Sequence, residues 1–119
     1  MEKRFIVNLQ GKEFITFEGL LAEFHKNGGT QIRTEETMSS TVDSPRFKAI
    51  AKGENGEFMG HGDADESNVN KLIARHKYRM AETRAICRAL RLYNNIGMCS
   101  KEELGGDTPK PNFQDKQPF

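Results

Sequence analysis

Apolar positions along the chain change their spacing several times, and each change marks an expected element. Phe5-Ile-Val-Asn-Leu9 is a short apolar run with strand character, and Glu13-Phe-Ile-Thr16 is a second. Gly11-Lys12 between them suits a two-residue hairpin turn. Thr16 is placed to cap a helix whose apolar residues Phe17, Leu20, Leu21 and Phe24 recur at i, i+3, i+4 and i+7. Gly28-Gly29 should end that helix, because glycine accepts the left-handed conformation of a helix C-terminus. From Thr30 to Val42 the chain is rich in Thr and Ser, with only Ile32, Met38 and Val42 apolar, and reads as one long polar strand. After Pro45, residues 46–52 alternate. Phe47, Ala49 and Ala51 take one face, Arg46, Lys48 and Lys52 the other, and Ile50 breaks the pattern. Asn55-Gly56 predicts a type I′ turn into a returning strand, Glu57–Gly62. Residues 30–62 therefore read as a three-stranded antiparallel meander.

The period then lengthens. A polar loop at 63–68 and a short helical turn at 67–74 lead into Lys77–Tyr93, the strongest helix signal in the chain. At roughly 100° per residue, Tyr78, Ala81, Ala85, Ile86, Ala89, Leu90, Leu92 and Tyr93 share a broad apolar face. Lys77, Arg84, Arg88 and Arg91 cluster within about 60° on the opposite side. Ser100-Lys-Glu-Glu103 has the capping-box spacing, which predicts one more helical turn. From Gly105 the chain is rich in Gly, Pro and polar residues and reads as a flexible tail. The expected fold is α+β. An antiparallel β-β-β meander packs on a long C-terminal amphipathic helix, preceded by an N-terminal hairpin and helix. Residues 1–104 form one domain and 105–119 the tail.

Charge sharpens this picture. The net charge of +1 conceals a balance of −4 over residues 1–66, +6 over 67–99 and −1 over 100–119. A basic block in a nearly neutral chain points to a local anionic partner. The helix row Lys77, Arg84, Arg88 and Arg91 would span about 20 Å, with Lys48 and Lys52 widening the patch from the meander. Aromatic residues outside the expected core are sparse, so the reading is backbone binding of a nucleic acid with little sequence preference.

Other chemistries find less support. Asp63, Asp65 and Ser67 imitate the start of a calcium loop, but its sixth position is Asn68 and its twelfth Ala74. His25, His61 and His76 have no metal-ligand spacing among themselves or with Cys87 and Cys99, so no metal or cofactor is expected. Cys87 has Thr83, Arg84, Arg88 and Arg91 as helical neighbours, none of them a base for a nucleophile, and the chain is not expected to be an enzyme. Two cysteines are too few for a disulfide framework and read as reduced thiols of a cytoplasmic protein. No stretch approaches the roughly 18 apolar residues of a membrane span.

Three segments together carry a resemblance: Lys12–Gly29, the strand closing in Phe58-Met-Gly-His-Gly-Asp63, and Arg79-Met-Ala-Glu-Thr-Arg-Ala-Ile-Cys-Arg-Ala-Leu-Arg91, followed by Asn95-Ile-Gly-Met98. Over residues 12–104 the chain resembles the Rad fifty-two-like single-strand annealing proteins, in particular small phage and bacterial forms. The resemblance implies a β-β-β-α core that assembles into homo-oligomeric rings or filaments. It also implies binding of single-stranded DNA and ATP-independent annealing of complementary strands in recombination or repair. In the family a Lys-Arg pair before Ala-Leu contacts DNA. The matching positions here are Cys87 and Arg88, so the arginine is retained and the lysine is not. The alternative is a non-enzymatic interaction module whose basic helix docks an acidic partner. The tail, with Phe113 and Phe119, is a further candidate docking segment.

Overall fold

The computed structural model describes residues 2–65 and 76–104. A 3-10 turn, Lys3–Phe5, precedes strands β1 (Ile6–Leu9) and β2 (Lys12–Ile15) and helix α1 (Phe17–Lys26). Strands β3 (Gly29–Glu36), β4 (Arg46–Gly53) and β5 (Gly56–Asp63) follow, then helix α2 (Lys77–Tyr93) and a second 3-10 turn, Lys101–Leu104. The fold is α+β: a two-stranded sheet β1-β2, and an antiparallel meander β3-β4-β5 packed on α2. The expected helical turn at 67–74 and the tail from 105 lie outside the described residues.

Both hairpin turns sit one residue earlier than the sequence predicts. Between β1 and β2 the turn is Gln10-Gly11, with φ of 54° and 80°, because the Gly11 N–H is claimed by Asn8 Oδ1 at 3.1 Å and Lys12 already pairs with Leu9. Between β4 and β5 the turn is Glu54-Asn55, and Gly56 enters the strand at φ 117°. Tertiary partners decide this second case. Glu54 N–H bonds Gly28 O at 3.0 Å, and Asn55 N–H bonds the Tyr93 hydroxyl at 3.1 Å. The strand expected to run to Val42 stops at Glu36. Beyond it, Ser and Thr hydroxyls compete for the backbone: Arg46 N–H bonds Ser40 Oγ at 2.9 Å, Ser40 Oγ–H bonds Glu36 at 2.7 Å, and Ser44 N–H bonds Thr41 Oγ1 at 3.0 Å. The resulting loop leaves Met38 and Val42 in solvent.

Helix α1 begins as expected, with Thr16 Oγ1 accepting from Gly19 N–H at 3.1 Å, and is followed by Gly28 at φ 80°. Helix α2 keeps its expected bounds. Its Ala81, Ala85 and Ala89 lie against Gly60 and Gly62 of β5, where an added Cβ would collide with α2 backbone. Small residues on both sides bring helix and strand backbones together. Tyr93 closes the far end. Its ring stands edge-on to Phe24 and Phe58, with centroids 4.9 and 5.7 Å away, and its hydroxyl donates to Asn27 O at 2.8 Å. A single core cluster joins Ile15, Leu20 and Phe24 to Ala49, Ala51, Ala85, Leu90 and Tyr93.

The 98–104 segment seals the remaining side. Ile15 N–H bonds Cys99 O at 3.1 Å, and the Glu102 carboxylate accepts from Phe17 N–H at 2.8 Å, capping α1. The capping box predicted at Ser100 forms in its reciprocal half, with Ser100 N–H donating to Glu103 Oε2 at 3.1 Å.

Candidate nucleic-acid interface

The row of cations expected on the open side of α2 is largely enclosed. Arg84 is buried. Its Nη1 donates to Asp63 O at 2.7 Å and its Nε to Glu103 O at 3.0 Å. Arg88 donates from Nε to Glu103 Oε1 at 3.1 Å and from Nη1 to His61 O at 2.9 Å. Arg91 Nε lies 3.0 Å from Glu103 Oε2, and Nη2 donates to Oε1 at 3.1 Å. Ser100 Oγ–H adds a bond to Oε2 at 2.6 Å. The Glu103 side chain, 3% exposed, thus sits among two guanidiniums and a serine. Arg84 is held below the ordinary arginine range, mainly by burial and then by the charge of Arg88. The expectation of a solvent-facing row is therefore corrected for Arg84. The physical reason is the carboxylate and carbonyls of 98–104, which cover that face of the helix. Lys77, at the start of the row, donates from Nζ to Asp43 O at 2.9 Å and ties α2 to the β3–β4 loop. Arg88 keeps 39% of its side chain exposed.

The opposite layer behaves differently. Helix α2 covers the sheet face that carries Phe47, Ala49 and Ala51. The other face carries Arg46, Lys48, Ile50 and Lys52 of β4, with Arg33 and Glu35 of β3 and Glu57, Met59 and His61 of β5 in register beside them. Lys48 pairs with Glu35 at 3.5 Å, both partly in solvent, so the pair contributes little stability. Lys52 and Arg46 are exposed, and neither side chain has a partner among the described residues. Four cations on this face, Arg33, Arg46, Lys48 and Lys52, alternate with three carboxylates, Glu35, Glu57 and Asp63. The face is only weakly basic.

The two cation sets meet at one place. Arg88 reaches past the edge of β5 to His61 O, and there Arg46, His61 and Arg88 surround a depression of about 250 Å³ beside the β3–β4 loop. Of the six residues expected to form the site, Lys48 and Lys52 stand on the open face, Arg88 stands between the layers, and Lys77, Arg84 and Arg91 are engaged internally. No family model, no curated protein and no solved structure matches the chain.

Sequence reasoning passed over Arg46 and Glu103 as site residues. The signal for Arg46 was present in the alternation that puts it on the face of Lys48 and Lys52. The signal for Glu103 was its capping-box spacing, which says nothing about reach to α2. Neither thiol is poised for nucleophilic work: burial pushes Cys87 up to about 12 and raises Cys99 as well. Among the described residues no three His, Cys, Asp or Glu side chains group to hold a metal ion, and no helix is long and apolar enough to cross a membrane.

Proposed function

We propose that the protein binds single-stranded DNA through its phosphate backbone, along the open face of β4 and around the edge of β5 to Arg88. On this reading it anneals complementary strands without ATP, as a homo-oligomer acting in recombination or repair in the cytoplasm. The observation that carries the proposal is the line Arg46, Lys48, Lys52 on an uncovered strand face, joined at one end by Arg88. Side chains two apart on a strand are separated by about 6.6 Å, a step suited to successive phosphates of an extended strand, and Arg46 to Lys52 covers about 20 Å. The resemblance to single-strand annealing proteins supplies the annealing step, and Arg88 is the one family position that is both matched and exposed. The outer edge of β3, unpaired among the described residues, is available for contact between subunits.

Fluorescence anisotropy with a labelled oligonucleotide tests the reading. Affinity should fall steeply with salt, and Arg46→Glu with Lys52→Glu should remove most of it while the thermal transition stays in place. Equal affinity in that double variant overturns the site. A second reading, docking of a protein partner, is favoured by the three carboxylates interleaved with the cations and by the exposed Met38 and Val42. A particle that scatters light as a monomer and has no DNA affinity would select it.

A further inference from the structure

The depression beside Arg88 lies at the end of the β4 row rather than along it. A strand lying over Lys52 and Lys48 reaches Arg46, and there Thr37 and Ser39 of the β3–β4 loop line the depression. The loop is held firm: Thr37 N–H bonds Arg46 O at 2.9 Å, Ser40 N–H bonds Thr37 O at 3.0 Å, and the Thr37 and Ser39 hydroxyls are 3.1 Å apart. The Arg46 end of the row therefore adjoins a site lined by the loop. That site holds unused donors. The Arg46 guanidinium has no partner among the described residues. Arg88 uses Nε and Nη1 internally and has no such partner for Nη2. Phe47 and Gly62 also line the site, although the Phe47 ring stands edge-on to Tyr78 of α2 and Gly62 is buried against α2. At about 250 Å³ it falls short of the roughly 300–1,000 Å³ of sites that enclose a whole cofactor, so it suits one end group. Among the described residues Asp63 is the one carboxylate on the wall, and its charge also acts on the buried Arg84.

We infer that this depression binds a terminal phosphomonoester of a nucleic-acid strand, with Arg46 and Arg88 forking the phosphate and Ser39 donating its hydroxyl. A terminal phosphate carries up to two negative charges where an internal phosphodiester carries one. It also offers three free oxygens to a forked pair of guanidiniums. The inference rests on the DNA-binding reading for its ligand and extends it from backbone tracking to recognition of an end.

The experiment compares oligonucleotides of one sequence bearing a 5′-phosphate, a 3′-phosphate or hydroxyls at both ends, by anisotropy. A deoxynucleoside monophosphate is titrated separately while backbone amide shifts are followed. One phosphorylated end should bind about tenfold more tightly than the hydroxyl form, the effect of one charge-assisted hydrogen bond of about 1.4 kcal/mol, and the arm that gains names the polarity of the strand. Arg46→Ala, whose fold should persist, should weaken all three oligonucleotides through the loss of one cation from the row, but should cost the phosphorylated form about tenfold more and so erase the difference between ends. The monophosphate should shift the amides of Ser39, His61 and Gly62. Equal affinity for all three oligonucleotides, with no amide shift, overturns the end site and leaves strand binding standing. Monophosphate shifts at these amides in a protein that binds no oligonucleotide support the site and overturn the DNA-binding reading instead.

Discussion

Two sets of cations in this protein look alike in sequence and differ in what surrounds them. On α2, Arg84, Arg88 and Arg91 face the 98–104 segment, and their partners include the Glu103 carboxylate and backbone oxygens of Asp63, His61 and Glu103. On β4, Arg46 and Lys52 reach into solvent with no partner among the described residues, and Lys48 shares one exposed ion pair. Arg84 and Arg91 hold the protein together, Arg88 does so with Nη2 to spare, and the second set is left to meet something else. A charged side chain is available to a ligand only when its desolvation has not already been compensated from within.

The largest test of this contrast is on stability. Replacing Arg84 by Glu puts a second anion beside Glu103 and removes the donors to Asp63 O and Glu103 O, and the expected result is loss of the folded state in circular dichroism. The milder Glu103→Gln keeps the shape but removes the charge that balances Arg88 and Arg91. It should cost about 3 kcal/mol in urea unfolding. Arg46→Glu and Lys52→Glu should stay within about 0.5 kcal/mol of the parent. If Glu103→Gln were as innocuous as Arg46→Glu, the two sets would not differ in the way the geometry says.

Next in size is the packing that brings α2 onto the sheet. Gly60→Ala or Gly62→Ala drives a methyl group into α2 backbone and should cost about 2 kcal/mol. Both glycines lie under the covered side of the sheet, so neither change touches the open face directly. Salt slopes for oligonucleotide binding measured on the folded fraction should therefore stay as in the parent. On the open face the effect is electrostatic: removing one phosphate-binding cation should flatten the slope of log affinity against log salt by about 0.7. Lys52→Ala tests this without reversing a charge.

Much of this architecture was legible in the chain. Both helices, the meander and the capped start of α1 follow from spacing and from Thr16, because each is set by residues close in sequence. The misplaced features have tertiary causes. The β4–β5 turn moves because Tyr93 and Gly28, far away in the chain, take the backbone donors of Asn55 and Glu54. The enclosed side of α2 was missed for a related reason. A helical projection shows which residues share a side, here Arg84, Arg88 and Arg91, and is silent about what a later segment will lay across it. Ser100-x-x-Glu103 advertised a turn, and nothing local said that its carboxylate would end between two arginines of another helix. On β4 the same kind of reasoning served better, since α2 covers one face of the sheet and leaves the side of Lys48 and Lys52 open.

The smallest expected effect asks whether the cover over α2 belongs to the global fold. Cys87 lies beneath it, fully buried, with Ser100 as a hydrogen-bonding neighbour, whereas Cys99 is part-buried. Labelling by a thiol-specific reagent at neutral pH should modify Cys99 first and Cys87 only at the rate of global opening, because the ion pairs of Glu103 tie 98–104 to the helix core. The alkaline limb gives an independent reading. Burial lifts the Cys87 thiol from its ordinary 9.0 to about 12 in the folded chain. The unfolded chain therefore releases this proton first, and the stabilising contribution, complete below about pH 9, is lost progressively as pH rises toward 12. At pH 10 the loss should be about 1.4 kcal/mol, and Cys87→Ala should flatten that limb although it lowers stability at neutral pH. Should Cys87 label much faster than the protein unfolds, the 98–104 segment lifts by itself. The arginines of α2 would then be exposed intermittently, and the division between cations that hold the fold and cations that meet a ligand would become one of time rather than of place.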